Sequence, residues 1–93
     1  MREIKRNKMK LFDLLAHIYR YEWIYIFTDN LENEWEGVVY ELIDEDKVRA
    51  AADNEKTQLL VSTMGQYIVE DIFIRWLKRR ATVFIEVKKD EEE

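Results

Sequence analysis

The segment Trp23-Ile24-Tyr25-Ile26-Phe27-Thr28 consists only of aromatic and β-branched residues. Such residues favour strands and the segment is too short for a stable helix, so it predicts a β-strand over 23–28. Asp29-Asn30 follows as a turn signal. Both sides of this strand are apolar, because the three rings alternate with the two isoleucines. One side is expected to pack against helices, and the other needs a separate cover.

Elements of both kinds are predicted before and after this strand. Leu11, Leu14, Leu15 and Ile18 have the i, i+3, i+4, i+7 spacing of a helix, predicted over about 10–20. A second strand is predicted over 35–42, close enough to form a hairpin with the first, with Gly37 marking a bulge. Asp44 is expected to cap a further helix.

The second half of the chain leaves two assignments open. Residues 55–64 fit either a helix or a short strand, and we favour the helix. Residues 66–76 alternate as a strand, with a helix as the alternative. Residues 81–88 alternate clearly and predict the last strand, which follows the basic connection Lys78-Arg79-Arg80.

The order α-β-β-α-(α)-β-β predicts one small α+β domain over 9–88. We expect an antiparallel sheet of about four strands with helices on one face. Residues 1–8 are predicted to be a flexible basic arm, and residues 89–93 a disordered acidic tail. A length of 93 residues leaves room for a single core.

Composition argues against most kinds of chemistry. The chain has no cysteine and only one histidine, His17, so we predict no metal site and no cofactor. Its two glycines cannot form a phosphate-binding loop. No nucleophile and base are recognisable at a useful spacing. We therefore predict a non-enzymatic protein, and the absence of a long apolar segment or signal peptide predicts a cytoplasmic one.

The strongest charge feature lies between Asp29 and Asp46, where eight carboxylates occur without a lysine or arginine. Such an array can imitate the phosphates of a nucleic acid and occupy a basic groove on a partner protein. The alternative is a solvated, solubilising surface, which charge runs more often form. The residues predicted to bind the partner are Glu32, Glu34, Glu36, Asp44, Glu45 and Asp46.

Two other surfaces are candidate interfaces. Trp23, Tyr25 and Phe27 line one side of the first strand and are either buried in the core or the contact surface of a homodimer or a partner. The same aromatic side, next to a basic cluster, also suits stacking with single-stranded nucleic acid, although the acidic balance disfavours it. That cluster consists of Arg75, Lys78, Arg79 and Arg80.

Several short stretches resemble a loose family of small uncharacterised proteins from phages, prophages and mobile elements of Gram-positive bacteria. They are Met9-Lys10-Leu11-Phe12-Asp13-Leu14-Leu15, Ile24-Tyr25-Ile26-Phe27, Glu36-Gly37-Val38-Val39, Val69-Glu70-Asp71-Ile72 and Val83-Phe84-Ile85-Glu86-Val87. The resemblance implies a phage accessory protein, in a class that includes inhibitors of host defence such as anti-CRISPR proteins. This chain departs from the family pattern in the arm before Met9 and in the longer region 44–65.

The leading hypothesis is therefore a phage or mobile-element protein that inhibits a host nucleic-acid enzyme through its acidic surface. A homodimeric module that uses the aromatic strand is the alternative, and a single-stranded nucleic-acid binder has the least support. The target, the oligomeric state and the role of the arm are not encoded in any recognisable motif.

Overall fold

The structure is a computed structural model that describes residues 9–28 and 34–89. The predicted arm over 1–8, Glu32 and the predicted tail beyond Lys89 lie outside these residues. The elements in chain order are α1 (Leu11–Leu15), β1 (Trp23–Thr28), β2 (Trp35–Val38), α2 (Tyr40–Ile43), α3 (Glu45–Ala50), α4 (Glu55–Thr63), a 3₁₀ turn (Met64–Gln66), β3 (Tyr67–Leu77) and β4 (Arg80–Lys89). Lys89 therefore ends a strand and does not begin the tail.

The four strands form one sheet in the order β2-β1-β4-β3. The outer pairs β1–β2 and β3–β4 are antiparallel, whereas the central pair β1–β4 is parallel. The prediction of a small α+β domain with four strands is confirmed, and the expectation of antiparallel pairing throughout is wrong. Alternation along a strand shows which sides are apolar, but it carries no information on the direction of the neighbouring strand.

The core lies between the helices and one face of the sheet. Leu11 and Leu15 of α1 are fully buried against Ile24 and Ile26 of β1. The remaining members come from the helices and the other strands: Trp35, Val39, Leu42, Leu60, Met64, Tyr67, Ile85 and Val87. All described helices that contribute to this core do so on the same side of the sheet, as predicted.

Two predicted boundaries need correction. Helix α1 ends at Leu15 and not near Arg20, because the chain tightens into turns in which Ile18 N–H bonds the Leu15 carbonyl. Strand β2 ends at Val38, and the predicted continuation to Leu42 is helical. Val39 and Leu42 are both buried, and their spacing of three matches one helix face.

Gly37 does not mark a bulge. The β1–β2 register is unbroken from Trp23 opposite Val38 to Ile26 opposite Trp35. The bulge lies instead in β3, between Val69 and Asp71. Because the bulge adds one residue to β3, the alternation of side chains reverses there. Val69 before the bulge and Ile72 after it therefore lie on the same face of the sheet as Val87.

The favoured assignments for the second half are confirmed. Residues 55–63 form α4, whose Asn54 cap accepts a hydrogen bond of 3.0 Å from Thr57 N–H. Asp44 caps α3 in the same way, accepting from Lys47 N–H at 3.1 Å. Strand β4 extends the predicted segment by one residue at each end, whereas β3 begins and ends one residue later than predicted.

Candidate functional site: the open face of the sheet

The side of the sheet opposite the helices, here called the open face, is rich in aromatic rings. Tyr25 of β1 pairs with Phe84 of β4, which pairs with Phe73 of β3, so three rings form a row across the sheet. Phe27 and Trp23 flank this row along β1 and point to the same side, because residues two apart on a strand share a face. We call these five residues the aromatic face.

The rings of the aromatic face pack on one another. Phe73 and Phe84 are stacked, with centroids 5.3 Å apart and an interplanar angle of 12°. The ring centroid of Tyr25 lies 5.0 Å from that of Phe84 and 5.8 Å from that of Phe27. All five side chains are half-buried. Mutual packing therefore holds the rings of Tyr25, Phe27, Phe73 and Phe84 in place while leaving part of each accessible, which suits a preorganised contact surface.

Cationic side chains lie over this surface at one end. The Arg80 guanidinium is 3.4 Å from the Trp23 ring centroid, and Arg75 is 5.0 Å from that of Phe73. Glu36 on β2 accepts from Lys78 Nζ at 2.9 Å and from an Arg80 guanidinium nitrogen at 3.4 Å. The guanidinium of Arg80 is thus held between a carboxylate and an indole.

Carboxylates occupy the same face next to the aromatic rings. Burial raises the pKa of Tyr25 to about 12, and a hydrogen bond to the Glu34 carboxylate and the charges of Glu34 and Glu36 act in the same direction. Glu86 lies opposite Phe27 and next to Asp71, so the other end of the face is acidic as well.

The predicted acidic surface is divided between the two sides of the sheet. Glu34 and Glu36 belong to the open face, whereas Asp44, Glu45 and Asp46 begin α3 on the helix side. Several of these carboxylates already have partners within the chain. Asp44 caps α3 and lies 3.7 Å from Arg20, and Asp46 bonds Arg49 at 3.2 Å.

The predicted basic cluster is brought together by a tight turn between β3 and β4. Leu77 pairs with Arg80, so Lys78 and Arg79 form a two-residue loop. Both have positive φ, 54° and 69°, as a type I′ turn requires. The turn projects Lys78 back toward Glu36 and keeps Arg75 and Arg80 on the open face.

Phe73 and Phe84 belong to the aromatic face but were not among the residues predicted from the sequence. The signal for each was present in the alternation of its own strand. What sequence alone did not show is that β4 lies between β1 and β3, which joins three separate apolar segments into one surface.

An open apolar groove of about 710 Å³ lies on the helix side, between α1 and the later helices. Phe12, Ile43, Val48 and Val61 contribute to its walls. Phe12 and Ile43 are exposed there. Nothing among the described residues indicates what would bind in this groove.

Comparisons with known proteins assign no function to this chain, so a functional inference rests on the geometry of the structure. No family model, curated protein or solved structure matches this chain.

Within residues 9–28 and 34–89, no three metal-ligating side chains come together. None of the described helices is long and apolar enough to span a bilayer. His17 is exposed and its Nδ1 lies 2.8 Å from the Asp13 carbonyl oxygen.

Proposed function

We propose that the protein acts by binding another protein, and that the aromatic face is its contact surface. One observation supports this most directly: five aromatic side chains cover the side of the sheet on which none of the described helices packs. Aromatic residues are concentrated at the centres of protein interfaces because their rings bring large apolar area with little loss of conformational entropy.

The composition of the surrounding surface supports a protein partner. Around the rings lie Arg75 and Arg80 at one end, and Glu86 and Asp71 at the other. An apolar centre with a mixed charged rim is the usual anatomy of a protein interface. Trp23 is already covered by Arg80, so we expect Tyr25, Phe27 and Phe84 to be the main anchors.

The same surroundings disfavour single-stranded nucleic acid. Bases stack well on exposed rings, but the phosphates need cations that are free to approach them. Here Lys78 and Arg80 are paired with Glu36, and further carboxylates share the face. We therefore expect a gel-shift assay with single-stranded DNA and RNA to show no retarded species at physiological salt.

Matched substitutions test the proposal. Tyr25→Ser combined with Phe27→Ser removes two anchors, and Tyr19→Ser combined with Tyr21→Ser removes two exposed aromatics from outside the face. Proteins captured by the wild type from a bacterial lysate are identified by mass spectrometry, and both double variants are compared after circular dichroism has shown that they fold. Specific partners should be lost with the first variant and kept with the second. Equal capture by both would exclude the aromatic face as the contact surface.

A second candidate is inhibition of a host nucleic-acid enzyme in the bacterial cytoplasm, with the acidic residues entering a basic groove. The net charge of −5 and the exposure of Glu45 and Asp46 at the start of α3 support it. The internal pairing of Glu36, Asp44 and Asp46 weakens it. Here Glu45→Lys with Asp46→Lys should abolish capture of basic partners, and capture should fall steeply with salt. Salt-resistant capture by the charge-reversed protein would refute this candidate.

A further inference from the structure

Strand β3 is an edge strand, and only its first part is covered along the outer side. Val69 N–H donates to the Met9 carbonyl at 2.9 Å, and Lys10 forms a bridge with Ile68. From Glu70 to Leu77 no described residue outside β3 pairs with the backbone on the outer edge. Ile72 N–H bonds the Asp71 side chain at 2.9 Å, which shows that this amide points away from β4.

The uncovered part also exposes large apolar side chains. Ile72, Ile74 and Trp76 are 45%, 68% and 75% exposed. They lie on the helix side of the sheet, because Ile72 pairs with the buried Ile85, but they extend past the end of the helix layer. A long apolar edge of this kind is a template for pairing with another strand.

We propose that this edge binds a second copy of the chain, with the two β3 strands antiparallel and Phe73 at the two-fold axis. In that register, a residue a given number of positions before Phe73 in one copy lies opposite the residue the same number of positions after Phe73 in the other. Phe73 meets Phe73, Ile72 meets Ile74, and Asp71 meets Arg75 of the second copy. The paired segment is then 70–76 in each chain, and it ends where Met9 takes over the edge.

Charge complementarity selects this register. Asp71 and Arg75 lie on the open face, two residues before and two residues after Phe73. A two-fold axis at Phe73 therefore places Asp71 of each copy opposite Arg75 of the other, which gives two pairs of opposite charge. Centring the pair on Ile72 or Ile74 instead places Asp71 opposite Phe73 or Leu77. Centring it on Arg75 places two arginines opposite each other.

The side chains on the helix side fit the same register. Ile72 of each copy packs beside Ile74 of the other. Trp76 lies opposite residue 70 in this register, at the point where Met9, itself 46% exposed, leaves the edge. Ile72 and Ile74 are thereby covered by the same two residues of the second copy, as an isologous interface requires.

The arrangement joins two four-stranded sheets into one of eight strands. The aromatic faces of both copies then lie on the same side, with the two Phe73 rings adjacent. This inference does not depend on the proposed function, because it concerns the edge of β3, and the variants that test it leave Tyr25, Phe27 and Phe84 unchanged.

A charge-swap series tests the interface by sedimentation equilibrium over micromolar to millimolar concentrations. Asp71→Arg alone and Arg75→Asp alone each place like charges opposite each other twice, and each should weaken dimerisation about tenfold. The double variant Asp71→Arg/Arg75→Asp restores opposite charges and should recover most of the affinity. The matched control is the Asp46 and Arg49 ion pair on α3, where the same exchanges should leave the dimer unchanged.

Ile74→Lys provides an independent test, because Ile74 is exposed and its replacement does not disturb the core. A lysine in the middle of the edge should yield a monomer that retains the wild-type circular dichroism spectrum. A wild-type protein that is monomeric at every concentration would overturn the proposal. So would a dimer that neither Ile74→Lys nor the single charge changes weaken, since it would use another surface.

Discussion

The indole nitrogen of Trp35 lies 2.9 Å from the hydroxyl oxygen of Thr57. Both side chains are buried, at 7% and 4% exposure, and they connect β2 to α4. The indole N–H donates to the hydroxyl oxygen, so the buried indole nitrogen has an acceptor within the core. The contact fixes the edge of the sheet that carries Glu34 and Glu36 relative to the helix layer.

Thr57→Val should destabilise the protein by about 1–3 kcal/mol, because the shape of the side chain is kept while the buried indole N–H loses its acceptor. Thr57→Ser, which keeps the hydroxyl, is the control and should cost less. Urea denaturation followed by tryptophan fluorescence measures both. A smaller loss in Thr57→Val than in Thr57→Ser would show that packing of the methyl group, and not the hydrogen bond, is the main contribution.

Gly37→Ala should destabilise the protein by about 1–3 kcal/mol through overpacking. A Cβ at Gly37 would lie 2.6 Å from the Trp35 ring and would also meet the Glu41 carboxylate. Gly65 provides the matched control, because a Cβ there meets no atom within 4 Å. Thermal unfolding should therefore show a lower midpoint for Gly37→Ala than for Gly65→Ala. Similar midpoints would mean that the ring of Trp35 can move aside.

Arg79→Gly should stabilise the protein by about 0.5–1 kcal/mol. Arg79 has a φ of 69°, a conformation that costs free energy for a residue with a Cβ and little for glycine. Because glycine also loses more backbone entropy on folding, the gain is smaller than the strain itself. Arg49→Gly on the exposed side of α3 is the control, and it should lower stability by a similar amount. A lower denaturation midpoint for Arg79→Gly would contradict this account of the turn.

Tyr25 should remain protonated to higher pH than an ordinary tyrosine. Its pKa is raised to about 12, so the neutral phenol contributes stability that is fully present below about pH 10 and lost as the pH rises through 12. Ultraviolet titration of tyrosinate, with circular dichroism to confirm folding, should show that Tyr25→Phe removes the transition at the highest pH. Glu34→Gln should shift that transition to lower pH. Loss of a transition near pH 10 in Tyr25→Phe would refute the assignment.

Much of the fold followed from local patterns. Strand β1 was predicted with its observed ends because all six of its residues favour strands, and the cap at Asp44 was predicted because it involves only Lys47, three residues away. The errors arose where local patterns compete. The run Val38-Val39-Tyr40 favours a strand on its own, yet burial of Val39 and Leu42 turns the chain into α2.

The candidate site was only partly predictable. Trp23, Tyr25 and Phe27 were identified because the apolar character of both sides of β1 is visible in the sequence. Their neighbours Phe73 and Phe84 were not, since contacts between strands far apart in the chain depend on the order of the sheet. The carboxylates were predicted to act together from their closeness in sequence, but the turn between β2 and α2 separates them onto different sides.

The sequence alone determined the approximate positions of the four strands, the helix cap at Asp44 and the two apolar sides of β1. It did so because propensity, alternation and capping act over a few residues. The tertiary structure decided that β1 and β4 run parallel, that the bulge lies in β3, and that the outer edge from Glu70 to Leu77 is uncovered. These features result from packing the whole chain around one core, and no short segment contains the information that specifies them.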